Sequence, residues 1–259
     1  MRPLAAYLAM RLKARLAYRG DLLVAAAGDV LVATVGLAAV GVLFHHTDTL
    51  GGFGVWEVLL GWGLAQTSLG VFWTLFPGLY ALNRQYLLQG ELDRVLLRPL
   101  DPYLQVMLDH VNPGGLLLSA VGLGVFLWAA AASGLAWSVG MVLLFPVIVL
   151  CGTLLVAGVL TATAALGFWM HHEGSAVGLV YQFAGFAPYP LTILPRPFAF
   201  LVTAVLPFAF VGFLPATLYM DRPAWWPLAI AQPLVGLVVF FLGWGFWRFS
   251  LRRYGSAGH

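Results

Sequence analysis

The residues equipped for chemistry in this chain are few, and their spacing argues against most of the chemistry they suggest. His171-His172-Glu173 sets three metal-ligating side chains in a row. Adjacent residues on a helix point about 100° apart, whereas helical ligand pairs sit at i, i+4, so the group reads as a polar cap at a helix end. His45, His46 and Asp48 read the same way. Lys13 is the only lysine, and the residues before it are not glycine-rich. The G-x-x-x-x-G-K-[ST] loop, whose lysine reaches a nucleotide's phosphates, is therefore missing. There is no G-x-S-x-G elbow, and Gly255-Ser256-Ala257-Gly258 is a flexible tail. The single Cys151 rules out an intrachain disulfide and reads as a small buried packing residue. The basic residues are not interleaved with aromatics on a soluble face, so nucleic acid is not an expected partner. The reading is of a chain with no catalytic residue, no metal site and no cofactor of its own.

Charge is concentrated at one internal place, Gln89–Pro102, with the sequence Gln-Gly-Glu-Leu-Asp-Arg-Val-Leu-Leu-Arg-Pro-Leu-Asp-Pro. Leu88, Leu92, Val95 and Leu96 recur at helical spacing on one face. Glu91, Arg94 and Arg98 line another, with Glu91 and Arg94 in pairing range. Pro99 ends the helix, since proline disfavours the helical basin for the residue before it. A helix over Gly90–Leu97 is about 12 Å long at 1.5 Å per residue, too short to cross a bilayer. It is expected to lie on the membrane surface with its charged face turned to water.

The elements around this stretch are apolar. Hydrophobic residues make up 61% of the chain and charged residues 9%, with a mean hydropathy of +0.91; globular chains carry about 25% charged residues. This composition describes an integral membrane protein, one domain over 1–259. Met1–Gly20 holds Arg2, Arg11, Lys13, Arg15 and Arg19 and predicts a basic amphipathic helix on a membrane surface. Spans are expected at Leu22–Phe44, about Val55–Tyr80, Leu116–Ala132 and about Val139–Met170, then a proline-disrupted fifth entering near Ser175, and a last at Trp225–Trp247. Glycines 61, 63 and 70 suit close helix packing. Asp29, inside the first span, must face a protein interior or a water path, or lie close enough to the interface to be hydrated.

Arginine and lysine set the topology. The N-terminal segment, the loop at 81–103 and the C-terminal tail hold eleven of the thirteen basic residues, Arg196 and Arg222 flank Phe198–Tyr219, and the turns at 45–54 and 133–138 hold none. Placing the three basic regions together on the cytoplasmic side requires six spans. The apolar stretch Phe198–Tyr219, interrupted by Pro207, is then an outer re-entrant hairpin within 196–222, and both termini are cytoplasmic.

The run Gly90-Glu91-Leu92-Asp93-Arg94-Val95-Leu96-Leu97-Arg98-Pro99-Leu100-Asp101-Pro102 resembles the loop after the second span in ABC-2-type permeases. Leu206–Ala216, with Tyr189-Pro190 upstream, and Arg253–Gly258 resemble that family's outer segment and C-terminal signature. The resemblance implies an all-α exporter permease of the bacterial inner membrane. It also implies a coupling helix, formed by Gly90, Glu91, Leu92, Asp93, Arg94, Leu97, Arg98 and Pro99, on which a separate ATP-binding subunit docks. ATP and Mg would be bound on that partner. Six spans form too small a wall for a pathway, so a second permease, identical or related, is expected beside this chain in the lipid. Two alternatives stand beside this reading: a secondary carrier without an ATPase, for which Asp29 would be the intramembrane ionisable group, and a membrane-embedded enzyme using the histidines.

Overall fold

The computed structural model describes residues 19–169, 176–220 and 222–255, together with Tyr7, Met10 and Lys13. Most of the expected surface helix over 1–20, the His171–Glu173 group and Ser256–Gly258 lie outside the described residues. Eight helices organise the rest: α1 Arg19–His46, α2 Val55–Leu75, α3 Glu91–Leu96, α4 Pro102–Asp109, α5 Gly115–Ala132, α6 Val139–Ala165, α7 Ala176–Gln182 and α8 Trp226–Leu251. Among the described residues five helical stretches are long and apolar enough to cross a membrane, Ala27–His46, Val55–Leu75, Gly115–Ala132, Val139–Phe168 and Pro223–Leu251, and the bent pair Arg196–Val205 with Phe208–Tyr219 makes a sixth if counted as one span.

Missing side chains, more than large ones, set the packing. A Cβ on Gly63 would sit 2.6 Å from the Phe126 nitrogen and 2.7 Å from the Gly122 carbonyl oxygen, and one on Gly70 would meet the Gly115 carbonyl at 2.7 Å. The pairs 63/122 and 70/115 place α2 and α5 antiparallel with their backbones touching. In a membrane the hydrophobic effect gives helices no reason to associate, so this close approach, with its dispersion contacts, is what joins them. Gly158 lies against Val239 and Gly243, and Gly236 against Cys151. Partners in both places are offset by the same interval, so α6 and α8 run parallel. Gln232 of α8, fully buried, donates to the Ile148 carbonyl at 3.0 Å across this pair.

At one end of the bundle Leu50 and Phe53 exchange backbone hydrogen bonds of 2.8 and 3.1 Å around Gly51-Gly52, whose φ angles of +60° and +88° only glycine adopts freely. Thr192 Oγ1 donates to the Gly51 carbonyl (2.9 Å) and Arg222 Nη2 to the Gly52 carbonyl (2.8 Å). Residues 193–222 therefore leave and return at the same end of the bundle. Between these anchors Arg196–Val205 and Phe208–Tyr219 meet at 70°, and Gly212 packs on Gly61 and Ala65 of α2. Ala65 is ten residues into α2, so the segment descends roughly 15 Å at 1.5 Å per residue. The bend falls where Pro207 falls, and its buried backbone is satisfied by protein, as in the bond from the Phe213 nitrogen to the Ala187 carbonyl (2.7 Å).

The expected fifth span is not one straight helix. It consists of the seven residues of α7 and a four-residue 3-10 turn, Phe183–Phe186, followed by an irregular path through Pro188 and Pro190. Tyr181 accepts a hydrogen bond from Trp73 near the far end of α2, the Pro188 carbonyl lies against Gly61, and Thr192 reaches Gly51. Residues 176–192 thus run the length of α2 in the opposite direction. The two prolines remove backbone donors and cut the helix to about half a bilayer thickness.

Candidate functional site

The opposite end of the bundle carries the charged stretch. The chain enters it through a π-helical stretch, Leu82–Leu88, and Gly90 at φ +73° then turns the backbone sharply into α3. Leu92 and Val95 are buried and act as pegs. Beneath them Gln105 of α4, 0% exposed, donates from Nε2 to the Val95 carbonyl (3.2 Å) and the Leu100 carbonyl (2.9 Å). Asp101 caps α4 by accepting from the Leu104 nitrogen at 3.1 Å, with Pro102 at the first helical position. Tyr103 shares a 2.9 Å hydrogen bond with Thr161 of α6, and its phenol is pushed up to about 12, mainly by burial.

Arg94, Leu96, Leu97, Arg98 and Pro99 remain exposed, Leu97 by 86%. The face turned to solvent is thus two arginines around two leucines. This corrects the expectation in three respects. The helix covers Glu91–Leu96 and not Gly90–Leu97, because Leu97 already bonds back as a cap. Leu96 is on the exposed side, since a six-residue helix buries only the turn that faces α4. Glu91 accepts a hydrogen bond from Gln85 (2.6 Å), and no ion pair joins it to Arg94 among the described residues.

A cleft of about 330 Å³ opens beside α3, lined by Gln85, Tyr86, Glu91, Arg94, Arg98 and Asp109 among others. Tyr86, buried, donates to Asp109 Oδ2 at 3.0 Å. Burial first, and the Asp109 carboxylate second, push its phenol well above the usual range, so the proton stays in that bond. Tyr7 also donates to Asp109 and itself accepts from Arg98 Nη1 (2.9 Å), whose guanidinium lies 5.7 Å from the Tyr7 ring centre. Asp93 sits beside Tyr254, whose phenol is pushed up by burial and by that carboxylate. The loop, Tyr7 and Tyr254 therefore meet at one end. A second cleft there, about 260 Å³, is lined by Asp101, Pro102, Trp247, Arg248, Leu251 and Arg252.

The other residues singled out by sequence lie elsewhere. Asp29 is half-exposed on α1, within electrostatic reach of the Tyr181 hydroxyl. His45 and His46 meet edge to face at the end of α1, and His46 Nδ1 lies 3.0 Å from the Val42 carbonyl oxygen. Among the described residues no group of three His, Cys, Asp or Glu side chains converges to hold a metal. Cys151 is buried in the α6–α8 contact.

One polar clasp escapes the reading of the sequence. At the hairpin end Arg222 pairs with Glu57 through two hydrogen bonds of 2.7 and 2.9 Å, and its guanidinium stacks 4.8 Å from the Phe53 ring centre. Glu57 Oε2 also accepts from the Gly54 nitrogen at 2.8 Å. The available signal was a lone acid opening an apolar span and a lone arginine before another. Replacing Arg222 by Gln removes the two-pronged contact from a partly exposed pair, and the expected destabilisation is about 1 kcal/mol. It should appear as a slightly lower midpoint of thermal unfolding in detergent; an unchanged midpoint would show that hairpin contacts alone hold 193–222.

These features define a polytopic α-helical membrane protein that carries a short, polar-faced helix at one end of its bundle. A family model described as "ABC-2 family transporter protein" matches residues 30–258, and the chain belongs to that family. It is a transporter permease. No curated protein and no solved structure matches it.

Proposed function

We propose that the chain is the membrane subunit of an ATP-binding cassette exporter, with α3 as the coupling helix on which a separate ATP-binding subunit docks. The observation that carries the reading is the solvent face of α3 and the turn after it. Arg94, Leu97 and Arg98 stand out on a backbone held from beneath by Leu92, Val95 and Gln105. An exposed leucine between two guanidiniums is an apolar anchor in a charged rim, the composition of a protein-binding hot spot. With a single lysine and no phosphate-binding loop, the chain leaves ATP and Mg to the partner.

In this reading the end bearing α3 is cytoplasmic, because it gathers Arg84, Arg94, Arg98, Arg248, Arg252 and Arg253. The hairpin end faces outward, and 196–222 is an outer re-entrant segment. A second permease, a copy of this chain or a relative, completes the pathway, and the assembly resides in the bacterial inner membrane. Asp29 is a polar contact on that pathway or at the membrane interface.

Two measurements test this. The purified chain should show no ATP hydrolysis alone, whereas the complex with its ATP-binding subunit should hydrolyse ATP and lose that activity when the partner's site is disabled. Export sustained by an ion gradient alone would favour a secondary carrier. In a Cys151→Ala background, cysteines at His46 and Ser138 should react with an impermeant reagent from outside, and one at Leu97 only after permeabilisation. External labelling at Leu97 would reverse the orientation.

A further inference from the structure

The contacts of α4 connect the exposed face of α3 to two spans far from it in sequence. Gln105 clamps the carbonyls of Val95 and Leu100, one on each side of the exposed Leu97–Pro99 turn. Two residues earlier, Tyr103 is buried and bonds Thr161 of α6 at 2.9 Å, and its ring meets Trp247 of α8 edge to face, with centres 5.5 Å apart. Trp247 in turn packs on Phe168, just beyond α6. Gly78, after α2, lies against Val106 and Met107 with no room for a side chain, so α4 cannot slide freely. At the far end of the helix, Asp109 holds Tyr86. The covalent path from α4 to α5 leaves the helix at Val111-Asn112, where the Asn112 nitrogen donates to the Thr74 carbonyl of α2 (3.0 Å).

We infer that α4 is the transmission element of the permease, with Gln105 and Tyr103 as positioning residues that deliver a displacement of α3 to α6 and α8. The inference rests on the docking reading above. A rigid helix pinned at both ends carries a push. The parallel pair α6 and α8, joined backbone to backbone at Gly158 and Gly243, receives it as one body.

The test uses the complex of the full chain with the ATP-binding subunit that copurifies with it, in lipid nanodiscs. A Cys151→Ala, Val139→Cys background places one exposed cysteine at the hairpin end of α6. ATP with vanadate should change the rate at which this cysteine reacts with a maleimide. Tyr103→Phe with Thr161→Val, and separately Trp247→Leu, leave the Gln105 clamp beneath α3 intact and should retain the ATP-binding subunit as the reference does. They should diminish the ATP-dependent change on the order of several-fold, within the range expected for coupling energies carried by such networks. The first variant leaves the ring on Trp247 and removes only the hydroxyl contact, so it is informative if Trp247→Leu fails to fold. An ATP-dependent change that persists in full in the variants, no such change in the reference, or variants that simply lose the ATP-binding subunit would each overturn the inference. Failure of the unsubstituted chain to retain any ATP-binding subunit would instead overturn the docking reading.

Discussion

A permease carrying Arg94→Glu with Leu97→Asp is expected to insert and fold normally yet fail to retain its ATP-binding subunit. Both side chains are exposed and make no contact that holds α3 in place; that role belongs to Leu92, Val95 and Gln105. Exposed substitutions usually change stability by within about 0.5 kcal/mol. Docking is different. Truncating one partner of a charge pair buried by the interface typically costs about 2–5 kcal/mol, and an acid in place of the apolar anchor adds a desolvation penalty with no partner. Affinity should fall by roughly 30-fold at the least, since each 1.4 kcal/mol is tenfold, and the ATP-binding subunit should vanish from the purified complex. Arg94 is the better arginine to reverse, because Arg98 also holds Tyr7. Reversing Arg252 and Arg253 is expected to do less. Undiminished copurification of the Arg94/Leu97 variant would show that α3 is a solvated loop.

The second large effect is expected where α2 meets α5. Gly63→Leu or Gly122→Leu places side-chain carbon where only backbone now fits: the Gly63 Cβ would lie 2.6 Å from the Phe126 nitrogen, and the Gly122 Cβ 2.5 Å from the Thr67 nitrogen. No flexible side chain is there to yield, so the helices must separate. Overpacking of a close-packed site costs about 1–3 kcal/mol and occasionally more, and backbone-to-backbone contact puts this site at the upper end. Separation would also strain the bond from Ser119 Oγ to the Thr67 carbonyl, 3.0 Å across the same seam. The variants should give little folded protein in detergent, with a clearly lowered unfolding temperature for what survives. Gly124→Ala and Gly245→Ala are the controls, since nothing lies within 4 Å of either position. They should be neutral, or more stable by up to about 1 kcal/mol through helix propensity. Equal losses at all four positions would mean that the glycines act through backbone flexibility and not through close approach.

The sequence alone determined where the long apolar helices fall and the place of the short charged helix α3. These are local properties. A bilayer selects long apolar runs whatever their neighbours, and Gly90 and Pro99 bound α3 by their own backbone preferences. The disruption at Pro188 and Pro190 and the bend at Pro207 were legible for the same reason. Only the tertiary structure decided which face of α3 is exposed, because that depends on α4 lying beneath it and turns Leu96 outward with Leu97. Glu57 and Arg222, Tyr103 and Thr161, and Gln105 and its two carbonyls likewise meet only once helices distant in the chain are packed. Even the glycines of α2 announce close approach without naming a partner. Their pairing with Gly115 and Gly122 is settled by two backbones fitting together at a distance that residues with side chains do not allow.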